Sequence, residues 1–187
     1  MVISGGCSAV YPSMGNAITG QVSQLENIEN GWTSVNALNV PRFAHGCGVV
    51  NQGGNEKIVI AGGVGSELLE LDSVEIYAVG VFSSQSWTMG GCCCKMLLQQ
   101  LVPSINLKVS NMFAGTPLPM AMRKASSFQV DGSFVLVGGH SDAVGDQLDT
   151  VLAYHPDEDR WEELQSMRHK RASATAMLIS MDVFLEC

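Results

Sequence analysis

Short apolar runs, each cut off by a pair of glycines, set the rhythm of this chain. Val2-Ile3 leads to Gly5-Gly6, Ile58-Val59-Ile60 to Gly62-Gly63, and Phe134-Val135-Leu136-Val137 to Gly138-Gly139. Brief β-branched runs bounded by turn residues predict buried strands rather than helices. A second kind of strand follows two of the pairs. Leu71-Asp72-Ser73-Val74-Glu75-Ile76-Tyr77 and Leu148-Asp149-Thr150-Val151-Leu152-Ala153-Tyr154 share the order Leu-Asp-x-Val and end on tyrosine, and Gln21-Val22-Ser23-Gln24-Leu25 is the weaker first counterpart. Each unit then carries one lone tryptophan: Trp32, Trp87 and Trp161 stand 26, 24 and 22 residues beyond Gly6, Gly63 and Gly139. After each tryptophan comes an arginine that opens a strand of small residues, at Arg42, Arg123 and Arg171. A fixed order recurring at this period marks a repeat architecture.

Four short strands per unit, in the order arginine, diglycine, tyrosine and tryptophan strand, resembles the Kelch repeat. That resemblance implies an all-β fold of β-propeller blades, each made of four antiparallel strands. Gly62, Gly63, Tyr77 and Trp87 would be the structural signature of one blade, and Gly138, Gly139, Tyr154 and Trp161 that of the next. Glycines suit a sharp exit near a crowded axis, and the aromatic residues suit packing between twisted sheets. The expected organisation is a partial blade over 1–36, a blade over 37–90, an insertion or misannotated linker over 91–115, a blade over 116–166, and the first strand of a further blade over 167–187. Two complete and two partial repeats are fewer than the four to eight blades of a closed ring. The chain therefore reads as a fragment, an incomplete propeller.

The insertion is read from spacing. Ten residues separate Trp32 from Arg42 and Trp161 from Arg171, whereas 36 separate Trp87 from Arg123. The intervening stretch shares none of the repeat pattern and contains the run Cys92-Cys93-Cys94. Bridges between such neighbours are strained, no C-x-x-C pair exists, and the expectation is six reduced thiols.

Charge narrows the partners. The net charge is −8, with ten Lys and Arg against eighteen Asp and Glu, so the clustered basic surface that nucleic acid demands is missing. No apolar run is long enough to span a bilayer, and Met1 leads directly into strand residues, so neither membrane nor secretion is expected and the location reads as cytoplasmic.

No catalytic constellation stands out in the sequence. His45 reads as a packed histidine and His155, before Pro156-Asp157, as a solvated one. The loop from His140 to Asp146 offers a histidine and two aspartates, a conceivable metal or acid–base cluster, yet polar surface loops are far commoner. The expectation is thus a non-catalytic module without metal or cofactor. Glu67, Glu70, His140, Asp142 and Asp146 would line the loops that bind a protein or peptide partner, their acidic character suiting a basic peptide. The Kelch resemblance extends this to a substrate-recognition subunit of a cullin-type ubiquitin ligase, reached through domains absent here. The alternative it implies is a piece of a Kelch-type propeller enzyme, galactose-oxidase-like or a sugar isomerase, or an actin-binding protein.

Overall fold

The computed structural model describes residues 2–5, 18–27, 29, 31–78, 88–90, 95–97, 112–176 and 178, and every regular element among them is a strand. The first sheet pairs β1 (Val2–Ser4), β2 (Val22–Asn27) and β3 (Gly31–Val35) in that order, with Leu25 opposite Trp32. The second begins with β4 (Gly46–Gln52), β5 (Asn55–Ala61) and β6 (Val74–Ala78). A two-stranded ribbon of β7 (Thr88–Gly90) and β8 (Lys95–Leu97) follows, and β9 (Met112–Gly115) then closes the second sheet against β6. The third sheet runs β10 (Ser126–Val130) and β11 (Ser133–Val137). It leaves for the small hairpin of β12 (His140–Ser141) and β13 (Asp146–Gln147), then returns as β14 (Val151–His155) and β15 (Arg160–Leu164). The chain is all-β, and its two four-stranded antiparallel sheets resemble propeller blades. Among the described residues they close no ring. No helix among them is long and apolar enough to cross a membrane.

Strand periodicity builds the core. In β5, Ile58 and Ile60 face the first sheet, in a cluster with Val22, Leu38, Val49 and Tyr77. Val59 and Ala61, one residue out of phase, face the third sheet with Val74, Ile76, Phe134, Leu136, Leu152 and Tyr154. A strand buried on both faces is why Ile58-Val59-Ile60 is an unbroken apolar run. Trp161 seals the outer end of the third sheet: its ring meets Tyr154 at 5.1 Å and Phe134 edge-on at 6.1 Å, and its Nε1 donates to Thr116 O at 2.9 Å.

The diglycines stitch one blade to the next. Gly62 N donates to Ser73 O within its own blade, and Gly63 N to Met122 O on the lead-in to the following blade; Gly138 and Gly139 repeat this with Thr150 O and Arg171 O. Gly63 and Gly139 have φ of 96° and 109°. A Cβ would sit 2.6 Å from Phe43 O at the first and 2.9 Å from Arg123 O at the second. Side chains are excluded there twice over, by φ and by space.

Three expectations are corrected. The outermost strand of the second blade is β9, whose residues lie within the stretch read as foreign to the repeat. Met112 takes the place opposite Tyr77 that Trp161 takes opposite Tyr154, while Trp87 lies outside the described residues. Gly115 makes this fit possible, because a Cβ there would lie 2.8 Å from Ile76 Cδ1. Next, Cys47 is buried and disulfide-bonded rather than a free thiol; the other five cysteines lie outside the described residues. Third, the arginines are not equivalent. The left-handed residues Ala44, Lys124 and Ser173 mark the same place in successive repeats, and Phe43 bridges Val64 as Arg123 bridges His140. Arg42 and Arg171 therefore correspond to Met122, and Arg123 stands one residue further on, in the place of Phe43.

That offset separates two roles. Arg42 is fully buried and donates to Gly62 O, Ser73 O, Ser73 Oγ and Glu75 Oε1. Glu75 also accepts from the N–H groups of Asn39 and Val40. In the third blade Met122 and Leu152 hold the corresponding places and are both buried in the apolar cluster. One blade is clasped by a buried ion pair, the next by hydrocarbon.

Candidate metal centre

Where the second blade has Phe43 beside Val64, the third has Arg123 beside His140, and this exchange charges one edge of the blade-to-blade junction. The backbone holds the pair in place: Arg123 N donates to His140 O at 3.0 Å and His140 N to Arg123 O at 2.9 Å. The β12–β13 hairpin turns through residues 142–145, with Gly145 N donating to Ser141 O and Gly145 at φ 69°. Ser141 is buried and ties the hairpin down by donating to Ala121 O at 2.7 Å. From the neighbouring blade comes Glu70, set by its bridge to Val64.

Glu70, His140 and Asp142 converge there. One ligand-type atom from each lies within 4.8 Å of the others. His140 Nδ1 is 3.1 Å from Glu70 Oε1 and 3.5 Å from Asp142 Oδ1. The Glu70 side chain is only 3% exposed, and its Oε2 accepts from Asp142 N at 2.5 Å. Arg123 lies against both carboxylates, with Nη1 at 3.3 Å from Glu70 Oε1 and the guanidinium forked onto Asp142 at 3.2 Å. A tetrahedral ion with bonds of about 2.0–2.1 Å spaces its ligands about 3.3 Å apart, which the two measured separations bracket. One imidazole and two carboxylates are an ordinary donor set for a divalent transition metal, and three protein ligands leave a coordination position open.

The residues expected to line a peptide-binding face divide. Glu70, His140 and Asp142 come together; Glu67 is exposed; Asp146 is engaged by Lys170 at 2.9 Å. That hydrogen bond, with help from Gln147 N–H, lowers the Asp146 carboxyl below its usual range. The expected acidic face is thus largely neutralised from within. The reading as a non-catalytic protein-binding module, and with it the ubiquitin-ligase adaptor, is overturned by the convergence of Glu70, His140 and Asp142 into a potential metal-ligand set. Sequence reasoning grouped His140 with Asp142 and Asp146 as a conceivable cluster, named Glu70 only as a partner-binding loop residue, and missed Arg123. The signal in the sequence was His140, which stands directly after its diglycine where apolar Val64 follows Gly62-Gly63.

The other histidines lie elsewhere. His45 is partly buried between two diglycine corners, where a Cβ on Gly63 would lie 2.9 Å from its Cβ and one on Gly5 3.0 Å from its Cε1. Burial, and then the charge of Arg42, push its imidazole down to about 4. His155 is not simply solvated: its Nδ1 lies 3.3 Å from Ser133 Oγ and its Nε2 2.9 Å from Glu162 Oε2.

With both blades in view, the sequence of the third matches a known motif. Residues 123–168 are a Kelch motif. No curated protein matches the chain in sequence. Among solved structures, that of YjhT superimposes on 84% of this chain with a TM-score of 0.55 at 12% identity. The chain spans 42% of the length of YjhT, and at that identity the likeness bears on the fold alone. The Kelch motif takes in Arg123, His140 and Asp142, whereas Glu70 reaches in from the blade before it.

Proposed function

We propose that this chain is part of a propeller-type enzyme whose chemistry depends on a divalent metal ion held by Glu70, His140 and Asp142. The observation that carries this reading is the convergence of three donor atoms from two blades within 4.8 Å of one another, with His140 Nδ1 at 3.1 Å from Glu70 Oε1 and 3.5 Å from Asp142 Oδ1. Bound there, the ion would act as a Lewis acid on a carbonyl, phosphoryl or hydroxyl oxygen. The protein's part is to position. Glu70 is buried and held by Asp142 N–H, and the Arg123–His140 backbone bridge sets His140 on the rim formed by the loops 64–70 and 140–147. Leu69 and Val144 on those loops are 61% and 54% exposed, and they give a substrate an apolar edge beside the polar centre.

The test uses the full chain. Titration with zinc followed by calorimetry is expected to give one site, lost in His140→Ala. Incubation with chromogenic esters, phosphate esters and glycosides is expected to show turnover that needs zinc and His140. Zinc binding indifferent to His140, or a loaded protein inert on every ester, phosphate ester and glycoside tried, would count against the reading.

A further inference from the structure

We infer that Arg123 is a built-in counter-cation of the Glu70–His140–Asp142 centre, occupying both carboxylates when no divalent ion is bound and displaced when one binds. This rests on the metal-centre reading. Its own support is the competition visible in the geometry. Arg123 Nη1 lies 3.3 Å from the same Glu70 Oε1 that faces His140 Nδ1, and the guanidinium holds both oxygens of Asp142 at 3.2 Å. An ion bonded to Glu70 Oε1 at about 2.1 Å would stand no more than about 5.4 Å from that nitrogen, so the two cations would share one oxygen and repel each other.

Charge points the same way. Two carboxylates and a guanidinium carry −1 together, whereas two carboxylates and a neutral imidazole match a divalent ion exactly once the guanidinium leaves. Arg123 is also free to leave. Its side chain is 25% exposed and Asp142 is 56% exposed, and the backbone bridge to His140 needs no side chain. Neither neighbouring repeat has arginine at this place: Phe43 and Ala172 occupy it. The scaffold does not require the guanidinium, which leaves the carboxylates as its task. Arg123 would hold the acidic rim together without metal and set the threshold at which a divalent ion is admitted.

Zinc titration of the full chain and of Arg123→Ala, the residue the next repeat carries, tests this. Removing the competitor is expected to tighten zinc binding roughly ten- to a hundredfold. In the wild type the Arg123 Nε–Hε NMR resonance, assigned by through-bond correlation to the Arg123 backbone, is expected to shift toward a solvated position as zinc is added. Tighter binding by the variant together with the shifted wild-type resonance would support the inference, whereas zinc bound by the variant alone would show a guanidinium that zinc does not displace and would overturn it. Equal or weaker binding by the variant would overturn it and leave the metal centre standing; refusal of zinc by both proteins would overturn both. Should the variant not fold, the wild-type resonance decides: a signal unmoved by saturating zinc refutes displacement.

Discussion

The buried clasp of the second blade can be exchanged for the apolar packing of the third, and stability should survive only if the exchange is complete. Arg42 is fully buried, and the Glu75 side chain is 5% exposed at 2.7 Å from it. Burial lowers the guanidinium from its usual range and Glu75 opposes the shift. Arg42→Met alone leaves a buried carboxylate without its partner, a loss of about 3–5 kcal/mol. Glu75→Leu alone strands the guanidinium at similar cost. Converting both still costs the Asn39 N–H its bond to Glu75 Oε2 at 2.7 Å and leaves it only the weak acceptor Met112 Sδ at 3.3 Å. The third blade solves this with Pro119, which has no N–H, at the place of Asn39, and with Met122 and Leu152 at those of Arg42 and Glu75. Asn39→Pro with Arg42→Met and Glu75→Leu is therefore expected to fall within about 2 kcal/mol of the wild type, the remainder being the lost partners of Val40 N–H and of Gly62 O. Urea unfolding of the full chain, followed by far-UV circular dichroism and tryptophan fluorescence, gives the four free energies. A triple variant destabilised by the sum of the single losses would refute the equivalence of the two clasps.

Two further perturbations probe the same framework. His45 takes up a proton near pH 6.5 when unfolded but only near 4 when folded. Its contribution is whole above pH 6.5 and is lost as pH falls toward 4, about 3 kcal/mol in all; His45→Gln should flatten the stability profile over that interval, and an unchanged slope would exclude His45 as its source. Gly139→Ala puts a Cβ 2.9 Å from Arg123 O at a φ of 109°, and should cost about 2–4 kcal/mol. Gly145→Ala has φ 69° and open space around the new atom, so unfolding should register only about 1–2 kcal/mol; equal costs would show that backbone crowding at the diglycine is not what selects glycine.

Much of the fold was legible because its determinants are local. A diglycine must follow a buried strand wherever the chain turns against the next blade's backbone, and the runs before Gly62 and Gly138 became β5 and β11. Leu-Asp-x-Val became the lead into β6 and β14 for the same reason. Tryptophan was a poorer guide. The outer strand needs an apolar residue opposite the tyrosine, and Met112 meets that need opposite Tyr77 from a segment with no repeat signature. The arginines misled by one position, since sequence spacing cannot tell the buried face of a lead-in segment from its rim. The left-handed residues Ala44, Lys124 and Ser173 set the true alignment, and they have no common residue type. The centre itself was half visible. His140 and Asp142 lie two apart on one loop, but Glu70 joins them across a blade junction 70 residues away in the chain, a proximity only the packing of two sheets creates.

The most direct test of the metal centre is anomalous diffraction at the zinc edge from crystals of the full chain grown with zinc. The expected result is a peak about 2.0–2.2 Å from His140 Nδ1 and from one oxygen each of Glu70 and Asp142. A map with zinc on other surface groups and none among these three would contradict the account.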